Sequence, residues 1–242
     1  MSIDKMDTDE DLDEDLDDEE DHNEELLKSF NERLNLDCED YDAHVSKIKL
    51  LKSIGELDDL RIARKYFSNI FPLTPSLWLE WIHDEKSLAE SEEEKNAIYE
   101  LFDTAVNDYV SVDLWLEYCQ FSIGGIGTEE GVEKSRNIFE RAINAVGIHV
   151  SRGSLIWETY REFENALMLY MQNDEKLAIQ KERINKLFRR QLSIPLLGKK
   201  YIKIQLGDSS IRAGDKDSKG NLPSLTKPKQ SHIYIFRYGP NV

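Results

Sequence analysis

Apolar residues recur along most of this chain at spacings of three and four, and polar, glycine or proline residues break the pattern at intervals. Leu26, Leu27, Phe30 and Leu34 give one apolar side to a short helix over 24–36. Four helix pairs follow. The first joins 41–53 to 56–70 through Gly55. The second joins 76–89 to 92–109, and the fourth joins 155–171 to 174–192. The third occupies 111–146, with Gly124, Gly125 and Gly127 as its turn. Pro72 ends a helix, and Pro75 opens the next, where a missing N–H costs little. Ser91 with Glu94 predicts a capping box. Thr128, followed by Glu130 and Glu133, predicts a cap with an acidic first turn.

The pairs repeat one another. Trp78 and Trp81, Trp115 and Tyr118, and Trp157 and Tyr160 are each three residues apart, which puts both rings on one helix face. Tyr41 and His44 look like a degenerate copy. In the second helices Phe67, Phe102, Phe139 and Phe188 share a register, followed on the same face by Ala105 and Val106, Ala142 and Ile143, or Leu192. A period of roughly 35–45 residues built from helix pairs predicts an α-solenoid. The expected fold is therefore all-α: about four pairs and a capping helix in a short right-handed superhelix over 26–197. The rings could form a base-stacking platform. They share their faces with Leu77, Ile82, Leu114 and Ile156, which favours core packing.

The motif has a known likeness. A Trp, an aromatic three residues on and a Glu at seven (Trp78, Trp81, Glu85; Trp157, Tyr160, Glu164) precede Arg136 and Phe139–Ile143 in the partner helix. This resembles the half-a-TPR repeat of RNA-processing proteins. FPLTPSLWLEWIHDE, DLWLEYCQFSIGGIG and FRRQLSIPL are similar to the amino-terminal repeat domain of the U4/U6 recycling-factor family, that of squamous cell carcinoma antigen recognised by T cells. Repeat 3 departs in having Ser122 where Glu is usual, and repeat 1 lacks the Trp. The resemblance implies a nuclear protein of pre-mRNA splicing and reassembly of the U4/U6 snRNP. Its partners would be proteins of a nuclear ribonucleoprotein complex. In that family RNA is held mainly by RNA-recognition domains, which are absent from this sequence, so protein scaffolding is implied more than RNA contact.

Charge sharpens this picture. The net charge of −17 argues against non-specific nucleic-acid binding, which needs concentrated Lys and Arg. Residues 1–25 hold fifteen Asp and Glu against Lys5 and predict a disordered acidic tail. The alternative is a histone-chaperone-like arm for a basic partner. Residues 198–242 lack a helical period and carry nine Lys and Arg against three Asp. This predicts an irregular basic tail with short strands at 201–206 and 232–238. Direct RNA binding through the array and this tail is a further alternative. Lys134, Arg136 and Arg141, with Arg183, Lys186, Arg189 and Arg190, are the basic concentrations on the helices. They predict a solvated face or internal ion pairs, or else a docking patch for an acidic protein or an RNA backbone.

Other chemistry is harder to find. Gly124–Gly131 lacks the phosphate-loop lysine and joins two helices. Glu85 and Glu164 fall in different repeats, so hydrogen bonding to a neighbouring helix is expected of them, not acid–base catalysis. The five histidines have no ligand spacing, and no metal, cofactor or enzyme activity is expected. Cys38 and Cys119 predict unpaired, mostly buried thiols in a reducing compartment. No signal peptide or membrane-length apolar run is visible. Repeat 4 has apolar residues on several sides (Met168, Met171, Leu177, Ile184, Leu187), which predicts exposed surface and self-association. Trp115→Ala, at the centre of the array, is expected to cost more stability than any charge change.

Overall fold

A computed structural model describes residues 10–196, with side chains from Asp21 onward. All regular structure among these residues is helical: α1 (Glu10–Leu36), α2 (Tyr41–Ile54), α3 (Leu57–Ile70), α4 (Pro75–Leu88), α5 (Glu92–Asp108), α6 (Val112–Ile123), α7 (Glu129–Val146), α8 (Gly153–Leu169) and α9 (Asp174–Ser193). α1 packs on α2. The pairs α2–α3, α4–α5, α6–α7 and α8–α9 then form the four repeats. From repeat 2 onward successive pairs stack, through α5 on α6 and α7 on α8, and first helices also touch through α4–α6 and α6–α8. One apolar core runs through the stack from Ile48 to Leu196. This is the helical solenoid that the period predicts.

Local chemistry sets the helix ends. The Asp40 carboxylate accepts from the Ala43 N–H, and Gly55 closes α2 at φ 82°, a left-handed conformation that favours glycine. Thr74 caps α4, with Pro75 in its first turn. The Ser91–Glu94 capping box forms as expected. Thr128 Oγ1 accepts from Gly131, and Asn173 caps α9.

Four expectations change. First, α1 begins at Glu10 instead of 24 and takes in much of the acidic stretch. That stretch has no Gly or Pro between 10 and 25, and carboxylates are favourable at a helix amino end. Second, the glycine turn of repeat 3 is not needed for positive φ. Gly124 is right-handed, and among the described glycines only Gly55 has φ above zero. Third, Ile184 and Leu187 of repeat 4 are buried. The bare apolar residues at that end are Leu169, Tyr170 and Ile179. Fourth, Cys119 is buried but Cys38 is exposed. The strand candidates at 201–206 and 232–238 lie outside the described residues.

Close approach, not φ, is what the third repeat demands of glycine. A Cβ on Gly131 would lie 1.9 Å from the Gly125 carbonyl oxygen, backbone against backbone. At Gly127 it would meet nothing within 4 Å. Gly131→Ala should therefore cost about 1–3 kcal/mol, the range of an overpacked site. Gly127→Ala should stay close to the parent. Paired thermal melts check this, and equal melting temperatures for the two variants would contradict it.

Candidate functional site

The repeat residues assemble into a ladder of rings. Phe102 of α5 stacks on Tyr118 of α6, with centroids 4.8 Å apart and planes at 1°. Phe139 of α7 stacks on Tyr160 of α8 at 4.7 Å and 3°. In both cases the second helix of one repeat meets the first helix of the next. Trp78 and Trp81 stack on each other within α4 at 5.4 Å. In repeat 1 the stacking partner of Phe67 is His44, 5.0 Å away. These rings and Ala142 are buried, so they belong to the core and are unavailable to bases.

The indole N–H groups are treated unequally. Trp78 Nε1 donates to Asp108 at 2.8 Å, and the same carboxylate oxygen accepts the Leu73 N–H. Trp81 donates to Glu85, and Trp157 to the Gly147 carbonyl at 3.0 Å. Trp115 Nε1 is buried with no partner among the described residues. The Tyr118 hydroxyl donates to Asp103, which Arg141 also holds at 2.8 Å. Burial, then that carboxylate, pushes the Tyr118 phenol upward.

Glu85 and Glu164 accept charged bonds across repeats. Arg61 of α3 grips Glu85 of α4 with Nε and Nη2. Arg136 of α7 grips Glu164 of α8 at 2.9 and 3.0 Å, and Gln180 of α9 donates to the same carboxylate. Glu164 is fully buried. The repeat 2–3 junction lacks this pair on both sides. Ser122 stands at the Glu position, and Tyr99 stands three residues before Phe102, where repeat 3 has Arg136 before Phe139. Tyr99 packs on Phe121 at 4.8 Å and carries Lys134 Nζ 3.3 Å from its ring centroid. An aromatic and cation–π contact thus occupies the place of the ion pair.

These positions carry the chain's family signature. The model described as PRP39 N-terminal HAT repeat matches residues 28–203. This chain is a member of the PRP39 N-terminal HAT-repeat family. It is 46% identical over 170 residues to "Spliceosome associated factor 3, U4/U6 recycling protein" of Homo sapiens, and 47% identical to the Mus musculus protein of that name. The Danio rerio protein of the same name is 44% identical over 181 residues. The matches to the human and mouse proteins cover 70% of this chain and 17% of each relative. For the zebrafish protein the shares are 71% and 19%.

Most of the basic residues offered as a docking patch stand beside a carboxylate of the HAT array. Arg190 forks onto Glu140 with two 2.8 Å bonds and lies over Trp157. Arg141 holds Asp103 and lies over Trp115 and Tyr118. Arg183 stands 3.8 Å from Glu164, and Arg189 stands 3.5 Å from Glu182. Lys186 is exposed and has no carboxylate at ion-pair distance among the described residues.

Sequence reasoning missed the junction between HAT repeats 1 and 2. Lys52 bridges Glu80 and Asp84 at 2.8 and 3.0 Å, and the buried Arg64 meets Asp84 at 2.5 Å. Arg64 precedes Phe67 by three, as Arg136 precedes Phe139, so the signal was present in the register. Burial acts to raise the Asp84 carboxyl, but Arg64 and Lys52 outweigh it and hold the group below the ordinary Asp value. A folded value below the unfolded one stabilises fully above the unfolded pKa and is lost as pH falls through the folded one. Asp84→Asn should therefore flatten the fall in melting temperature below about pH 4. Parallel acid limbs for parent and variant would contradict this.

Among the described residues no group of His, Cys, Asp and Glu could hold a metal ion. No described helix is long and apolar enough to cross a membrane.

Proposed function

We propose that this chain is a non-catalytic, protein-docking HAT array in pre-mRNA splicing, serving reassembly of the U4/U6 snRNP in the nucleus. The observation that carries the reading is its identity, near one residue in two across the array, to proteins named as U4/U6 recycling factors. The geometry supports docking over catalysis. Glu85 and Glu164 are each bound to an arginine of the preceding repeat. It also supports protein over RNA as the contact, because the arginines are largely committed to carboxylates.

Tagged chain recovered from nuclear extract tests the splicing assignment. U4 and U6 RNAs should be enriched over U1 and U2 in the recovered material. Equal recovery of all four, or none above an untagged control, would overturn the assignment.

A further inference from the structure

We propose that repeat 1 and its capping helix form one body that swings against repeats 2–4 about Pro72, held closed by an ionic latch between α2–α3 and α4. The proposal does not depend on the splicing assignment. The repeat 1–2 junction is built unlike the two that follow it. At those, α5 lies against α6 and α7 against α8, and the first helices also touch as α4–α6 and α6–α8. Neither α2 nor α3 packs on α4 or α5 in this way. The helix backbones stand farther apart here, and the apolar core crosses between side chains.

The connecting chain is pinned on both sides of one residue. Phe71 belongs to repeat 1: its N–H donates to the Phe67 carbonyl, and its ring centroid lies 5.6 Å from those of both Tyr41 and Phe67. Leu73 belongs to repeat 2. It is 2% exposed, and its N–H donates to Asp108 of α5, the carboxylate that also holds Trp78. Pro72 is exposed between them and has no N–H to tie down. Its ring fixes φ, which leaves ψ of Phe71 and Pro72 to absorb a rotation.

Charged side chains span the wider gap. Lys52 of α2 reaches Glu80 and Asp84 of α4 at 2.8 and 3.0 Å. Arg64 of α3 reaches Asp84, and Arg61 forks onto Glu85. Long side chains can bridge backbones that do not touch, and can release without parting a packed helix interface. Charge pairs cross the later junctions as well, but there they reinforce helices already in contact, as Arg136 with Glu164 does between α7 and α8. The capping helix travels with repeat 1, since α1 packs on α2 and Lys47 donates to Asn31 at 2.6 Å. Lys52 and Arg61 are partly open to water, so salt weakens their pairs. Arg64 is buried, and neutralising Asp84 strands its guanidinium, which regains water when the junction opens.

Distances between two spin labels on the full chain read the hinge. The spanning pair uses the exposed Cys38, between α1 and α2, with Asn137→Cys on α7; Cys119 is buried. The control pair uses Asn96→Cys on α5 with Asn137→Cys, in a Cys38→Ser background, and stays within repeats 2 and 3. For the spanning pair, Asp84→Asn should add a second, separate maximum to the distance distribution. Lys52→Gln/Arg61→Gln strands no buried charge and should widen the distribution, as high salt does in the parent. The control pair should keep its distribution throughout. A spanning pair that reads the same in the parent at low salt, the parent at high salt and Lys52→Gln/Arg61→Gln would overturn the proposal. So would a control pair that widens as much with salt, because the array would then loosen everywhere and not at Pro72.

Discussion

Trp157→Ala should lower the stability of the array by about 3–5 kcal/mol, more than any other single aromatic truncation. The indole is 1% exposed and sits between repeats 3 and 4. Its N–H donates to the Gly147 carbonyl where α7 ends, and Arg190 covers its face. Truncation therefore removes packing and leaves a buried carbonyl without its donor. Trp115, favoured on sequence for its central place, already has an unpartnered N–H, so its loss sacrifices no hydrogen bond. For a chain of this size each 1 kcal/mol shifts the melting temperature by roughly 2–4 °C. Trp157→Ala should melt well below Trp115→Ala. The reverse order would show that ring volume outweighs the bond to Gly147.

Glu164→Ala should cost about 3–5 kcal/mol, because it takes from the half-buried Arg136 its buried carboxylate, leaving only the exposed Glu133, and leaves Gln180 only the residue-164 backbone carbonyl. The same change at Glu85 should cost less. Glu85 keeps about a fifth of its side chain exposed, and its partner Arg61 is more open to water. Replacing Arg136 and Glu164 together by Met should recover most of the loss, since a buried ion pair exchanged for packed apolar groups is often neutral. A double-mutant cycle reads this directly. If the paired replacement is as unstable as Glu164→Ala, the cost lies in the shape of the site and not in the stranded charge.

Much of the architecture was legible because it rests on local periodicity. The aromatic pairs at three-residue spacing, the Phe register and the Ser91–Glu94 box each follow from neighbours within a turn or two of helix. The junction chemistry was less legible because it joins residues of different repeats. Arg64 with Asp84 is 20 residues apart, and Arg141 with Asp103 is 38 apart. The concerted change at Tyr99 and Ser122 shows how the register can be read further. A departure at the Glu position predicts a matching departure at the Arg position of the preceding helix.

The central claim is that this array docks proteins and does not grip RNA. Purified chain titrated against intact U4/U6 snRNP and against naked U4/U6 RNA, each at low and at high salt, tests it most directly. The account predicts binding to the particle that persists at high salt, and weak binding to naked RNA that disappears there. Equal affinity for naked RNA, with a steep salt slope across both titrations, would contradict it.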